Sequence, residues 1–82
     1  MDTRWIQDFV TLAEVRNFTR AAEIRHVSQA AFSRRIQALE QWLGASLIDR
    51  TAFPLRLTEA GEHFRSVAVG LLDQIADVKA EV

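Results

Sequence analysis

The sequence predicts a mainly α fold: three helices, a two-stranded hairpin and a long final helix. Apolar residues recur at helical spacing in four stretches separated by capping residues. Two short stretches between the third and fourth of these alternate apolar with polar residues, as strands do. At 82 residues, 49% hydrophobic and 26% charged, the chain has ordinary globular composition and room for one modest core. That composition excludes a disordered polar chain.

The first stretch, TRWIQDFVTLAEV, sets Trp5, Ile6, Phe9, Val10, Leu12 and Ala13 on one face, with Asp2 or Thr3 available as its cap. Asn17 breaks it. FTRAAEIRH follows as a short helix with Thr19 as its expected cap, and the small Ala21 and Ala22 let a neighbouring helix approach. After Val27, Ser28 caps a third helix in which Phe32, Ile36, Leu39 and Leu43 share one narrow arc; Gly44 ends it. SLIDRT and PLRLT then bracket Ala52, Phe53 and Pro54 as a hairpin, with Pro54 at its tip or edge. Thr58 caps the last helix and Glu59 complements its dipole. Along it Phe64, Ala68, Leu71, Ile75, Val78 and Val82 recur at spacings of 4, 3, 4, 3 and 4, a coiled-coil seam, with Leu72 beside them. The expected division is 1–58 for a winged unit and 59–82 for a linker helix that pairs two chains.

Several function classes fall away. With no cysteine there is no disulfide framework, thiolate metal site or cysteine nucleophile. His26 and His63 have no second ligand at helical spacing, so neither a metal nor any cofactor is expected. No apolar run approaches the roughly 18 residues of a membrane span and no signal peptide opens the chain, which fits a cytoplasmic protein. A small enzyme has no support in Gly-rich phosphate loops or in His–acid pairs at useful spacing.

The net charge of −1 hides a segregated distribution. From Arg16 to Arg56 seven arginines face three acids, a local +4, and nine of the ten basic residues are arginine. Arginine forks onto phosphates and guanine edges.

A short helix, a tight turn and a second helix form a helix-turn-helix, whose second helix enters the major groove N-terminus first. On that helix Ala30, Arg34, Gln37, Ala38 and Gln41 fall opposite the core arc, with Ser33 and Arg35 on its flanks. Gln29 and Gln37 can pair with adenine or other edges, and Arg34 can fork onto guanine. Ser28, Ser33 and Thr19 are short donors suited to phosphate oxygens, with Arg20 adjacent. Arg35 is open to either a phosphate or an ion pair with Glu23 or Glu40, and Arg50 to a phosphate or a structural pair. Trp5 and Trp42, both at apolar positions, are expected in core or interface packing. Polar residues outside a helix are ordinarily just solvated; the order of turn, cap, charge segregation and wing turns the reading toward DNA.

The run FTRAAEIRHVSQAAFSRRIQALEQWLGASLIDRT, with LRLTEAG after it, resembles the N-terminal winged helix-turn-helix of LysR-type transcriptional regulators. The resemblance covers nearly the whole chain, from Trp5 into the final helix. It implies sequence-specific binding of double-stranded DNA at an interrupted palindrome, by a homodimer or tetramer whose long helices pair. It also implies an effector-sensing domain of periplasmic-binding-protein type beyond this chain. By position, Gln29, Ala30, Ser33 and Arg34 would face DNA, Thr19 and Arg50 would meet the backbone, and the wing from Thr51 to Pro54 would lie by the minor groove. Residue 30 is commonly proline in the family and is alanine here. Where the wing usually carries glycine and arginine, this chain has Ala52, Phe53 and Pro54, leaving Arg56 as the nearest basic residue. The opening Trp5, Asp8-Phe9, Thr11-Leu12 and Arg16-Asn17-Phe18, with the proline wing, resembles the hypochlorite-responsive members.

The final stripe is expected to seek a second chain, because the upstream unit is expected to close its own core. Leu71, Leu72, Ile75 and Val78 would stay wet in a monomer, forgoing several kcal/mol at roughly 25 cal/mol per Å2. Pairing would set two reading helices about 34 Å apart, one turn of duplex. The alternative is a dimeric protein-interaction module built on the same winged helix, kept open by the mild net charge and the arginine-poor wing.

Overall fold

The computed structural model describes residues 2–81. Its elements are α1 (Thr3–Val15), α2 (Phe18–Ile24), α3 (Gln29–Leu43), β1 (Ile48–Asp49), β2 (Arg56–Leu57) and α4 (Glu59–Glu81). This is a winged helix-turn-helix with a long C-terminal helix.

Each helix starts where a short polar side chain can take an orphan N–H. Asp2 accepts from the Arg4 amide at 2.8 Å and opens α1. Arg16, in the left-handed region at φ 54°, closes it and returns its N–H to Leu12. Asn17 is the cap of α2, accepting from the Arg20 amide at 3.0 Å. This corrects the expectation of Thr19: asparagine in extended backbone two residues earlier takes the cap and draws Phe18 and Thr19 into the helix. Ser28 caps α3 by accepting from the Ala31 amide at 3.1 Å, and Gly44 ends it at φ 75°, as the sequence predicts.

The core forms where α1, α2 and α3 meet. Ile6, Phe9, Leu12, Phe32, Ile36 and Leu39 are fully buried, and Ala21 and Ala22 let α2 sit close. Phe18 meets Phe32 edge-on, with ring centroids 6.0 Å apart. The two wing strands pair antiparallel, Ile48 opposite Leu57 and Asp49 opposite Arg56, and Leu47, Ile48, Leu55 and Leu57 fasten the hairpin to the core. The strands are shorter than the alternating pattern suggests, because Arg50 to Pro54 are given to the turn.

The final helix departs from expectation. Phe64 packs on Phe9 at 5.4 Å between centroids, and Ala68 is fully buried. The first half of α4 thus packs along α1, with Phe64 half-buried against the core. Leu71, Leu72 and Ile75 are only half-buried and Val78 is 62% exposed. Val82 lies outside the described residues. Trp42, expected among packed residues, is 58% exposed and is no part of the core; its position at the end of α3 turns it past the arc of Ile36 and Leu39.

Thr58 joins wing to helix. Its hydroxyl accepts from the Gly61 amide at 3.0 Å and donates to the Ser46 carbonyl at 2.6 Å. Gly61 is seated on the backbone of Leu47, where a Cβ would stand 2.1 Å from the carbonyl oxygen. Gly61→Ala must therefore push α4 off the wing. We expect a loss of about 1–3 kcal/mol in denaturant unfolding; a change below a few tenths would show that this seat yields freely.

Candidate functional site

The helix-turn-helix leaves one side of α3 facing solvent. Ser28, Gln29, Ala30, Arg34 and Gln37 are exposed and Ser33 is half-buried. The N-terminal half of that face opens into a cleft of about 520 Å3 whose walls include Thr19 of α2, Gln29 and Ser33 of α3, and Arg50 and Phe53 of the wing. The fold therefore brings five residues singled out in the sequence to one concavity, from three separate elements. Arg34 sits on the other flank of α3, over a shallow groove shared with Trp5, Ala31 and Ala38.

Hydroxyl protons decide what these side chains can donate. Ser28 accepts from Ala31 and keeps its own proton free. Thr19 has spent its proton: Oγ1 donates to Gln29 Oε1 at 3.0 Å. Thr51 has likewise spent its proton on Asp49, at 2.6 Å, and with the Thr51 amide this holds the Asp49 carboxyl below the ordinary carboxylate range. Ser33 forms no side-chain hydrogen bond among the described residues.

The arginines are sorted as sharply. Arg50 lies 3.3 Å from Glu40 and 5.7 Å above the Phe18 ring, which fixes it at the mouth of the cleft. Glu40 in turn accepts from the Leu47 amide at 2.8 Å, tying the end of α3 to the start of the wing. Arg20 meets Glu23 at 3.4 Å and Arg16 meets Glu62 at 3.9 Å, both largely in solvent and easily released. Phe53 is completely exposed at the wing tip.

Arg35 pairs with neither Glu23 nor Glu40. Its Nε and one terminal nitrogen fork onto Asp8 of α1, at 2.6 and 2.7 Å. Arg25, just past α2, donates to the same carboxylate at 2.8 Å and to Gln7 at 3.0 Å. Asp8 is fully buried. Donating to the Asp8 carboxylate raises the Arg35 guanidinium above its ordinary value, against the opposing effect of burial. This cluster escaped the sequence reading. Its signal was present: Asp8 lies three residues after Trp5 and four before Leu12, an acid within an otherwise apolar face. Asn17, read as a helix break, and Arg16, read as one of the seven clustered arginines, also line the cleft.

Among the described residues Arg34 and Arg56 stand in no ion pair, no cluster of His, Cys, Asp and Glu could hold a metal, and no helix is long and apolar enough to cross a membrane.

Residues 3–62 match the family described as "Bacterial regulatory helix-turn-helix protein, lysR family". The HTH-type transcriptional regulator YjiE of Escherichia coli (strain K12) is 49% identical over 82 residues, all of this chain and 27% of that protein. The structure of Vibrio fischeri DarR in complex with DNA superposes with a TM-score of 0.97 at 46% identity, covering 99% of this chain and 28% of that one. The BenM DNA-binding domain on catB site 1 DNA superposes at 0.94 and 34% identity, covering 98% and 86%; BenM is an HTH-type regulator of Acinetobacter baylyi. The chain thus spans about a quarter of the length of the curated relatives it matches.

Removing the Asp8 carboxylate leaves two guanidinium groups of α2 and α3 without their shared acceptor. For Asp8→Ala we expect a loss of about 3 kcal/mol in unfolding free energy, read by chemical denaturation. A loss under about 0.5 kcal/mol, the range of ordinary surface changes, would show that the cluster does not hold the helices.

Proposed function

The chain belongs to the lysR family of bacterial regulatory helix-turn-helix proteins, and on that premise we propose that it binds double-stranded DNA sequence-specifically as the reading part of a transcriptional regulator. One observation carries the assignment: residues of α2, α3 and the wing converge on a single cleft continuous with the outward face of α3. A duplex fits that form. In this reading α3 enters the major groove, the strand backbone passes through the cleft, and the wing reaches the adjoining minor groove.

Roles follow from what each group has free. Arg34, unpaired and exposed, forks onto guanine; Gln29, Ala30, Ser33 and Gln37 face base edges beside it. Ser28, the α3 N-terminus, Arg20 and Arg50 meet phosphates. Thr19 meets the backbone only by contact while its proton is engaged with Gln29. Thr51, Phe53 and Arg56 form the wing contact. Arg35 acts through Asp8 by holding α3 at its angle, with its remaining nitrogen the most it could offer a phosphate.

Pairing of two chains is part of the proposal. Leu71, Leu72, Ile75 and Val78 form an incompletely covered stripe on the outer half of α4, and Leu71, Ile75 and Val78 line a shallow apolar groove there. A second copy of this stripe covers it and brings two reading helices to one face of the duplex, at an interrupted palindrome. Residues 1–58 read, and 59–82 link and pair; effector sensing, tetramer formation and any response to hypochlorite belong to a domain outside this chain. The relatives that match are transcriptional regulators. We assign no reaction or cofactor, and place the regulator in the cytoplasm with the DNA it reads.

Selection of random duplex DNA on this chain tests the reading. An interrupted palindrome should be enriched, and Arg34→Ala should lose about 1–3 kcal/mol of affinity and relax one position per half-site. No enrichment, or an unchanged preference in the variant, would overturn it. Leu71→Asp, placed on the open stripe, should sediment as a monomer where the parent chain is a dimer; a dimeric variant would remove the pairing proposal.

A further inference from the structure

The Thr19–Gln29 hydrogen bond carries a consequence for which base is read. Gln29 is the first residue of α3, and Thr19 lies in the first turn of α2; their side chains meet across the helix-turn-helix at the mouth of the cleft. A glutamine amide has two sides, a carbonyl oxygen that accepts and an NH2 group that donates. Thr19 supplies its single proton to the carbonyl side. Threonine is branched at Cβ and held inside a helix, so it has few rotamers with which to follow a moving partner. The amide is thereby held by its oxygen on the α2 side, and its NH2 group donates to no partner among the described residues.

The orientation matters because bases differ in what they offer. Adenine is gripped by an amide that presents both sides at once, accepting from N6 and donating to N7. With the oxygen held on the α2 side by Thr19, only its second lone pair is left for a base, and that double grip is weakened. What remains outward is a donor, and guanine presents two adjacent acceptors in the major groove, N7 and O6, where adenine presents N7 alone. Adenine and cytosine both place an amino group on this edge, which opposes an approaching NH2. Thymine offers one acceptor, O4.

We infer that Thr19 is a specificity-determining residue: by holding the Gln29 carbonyl, it makes Gln29 a donor that selects guanine instead of adenine. The inference rests on the proposal that α3 reads DNA. Thr19 needs no contact with the base to do this; it is a positioning residue that acts through Gln29.

The test begins with Gln29→Ala, which identifies the base pair that Gln29 reads as the one whose preference flattens in DNA selection. At that pair the parent chain should favour G·C over A·T by roughly tenfold, the scale of one good base contact. Thr19→Val removes the hydroxyl and keeps the shape, so the amide is free to turn. The preference should fall to within about threefold, or pass to A·T, and Thr19→Ser should restore it. An unchanged unfolding midpoint in Thr19→Val separates this effect from a loss of fold.

An A·T preference in the parent chain at that pair overturns the inference, as does a Thr19→Val variant whose preference does not move. Arg34→Ala separates this from failure of the DNA reading. If the parent chain enriches a sequence and Arg34→Ala relaxes one position while Thr19→Val relaxes none, DNA reading stands and the role of Thr19 falls. If the parent chain enriches nothing, both fall together.

Discussion

Asp8 has no solvent exposure, and two guanidinium groups reach it from beyond α1: Arg25 at the end of α2 and Arg35 in the middle of α3. A buried carboxylate is costly unless its lone pairs are filled, and here three N–H groups fill them. The same cost makes the arrangement selective. Sliding α3 along α1 by one turn would leave a charge stranded on each side, whereas apolar neighbours such as Ile36 and Leu39 could find new partners. The carboxylate thus fixes register and angle where hydrophobic packing alone would leave latitude, and the outward face of α3 inherits that angle.

The charge distribution takes a different meaning once its partners are known. Seven arginines between 16 and 56 suggest a broadly basic surface. Two of them are consumed by Asp8, one is braced by Glu40 and Phe18, and two lean on acids at the surface. Arg34 and Arg56 remain without an ion pair among the described residues, one on α3 and one on the wing. Five of the seven thus meet acids of their own chain, and single unpaired arginines are left on the two projecting elements. The occupied protons of Thr19 and Thr51 follow the same logic: several polar groups at the cleft are oriented by a neighbour before any partner arrives.

Local chemistry was readable where one residue decides the outcome. Ser28 and Gly44 bound α3 because a cap and a left-handed glycine leave the chain no equivalent choice nearby. The hairpin followed from alternation around Pro54, and Thr58 from its place before a helical pattern. The start of α2 was misread because Asn17 and Thr19 both suit a cap, and Asn17 wins by being first. Tertiary choices were less legible. Phe64 and Ala68 fit a seam between chains and a seam along α1 equally well at the level of spacing; only the position of Phe9 separates the two. Trp42, at an apolar position that suits either core or interface, is outside the core and faces solvent. The partners of Arg35 depend on a residue 27 positions away, and no local pattern encodes that separation.

One measurement decides most directly whether the buried Asp8 sets the reading face of α3: the structure of this chain bound to a DNA sequence that it selects. We expect α3 in the major groove with Gln29, Ser33 and Arg34 at base edges, and Arg35 still forked onto a buried Asp8. An Arg35 released from Asp8 onto a phosphate, or a face other than that of α3 against the bases, would contradict this.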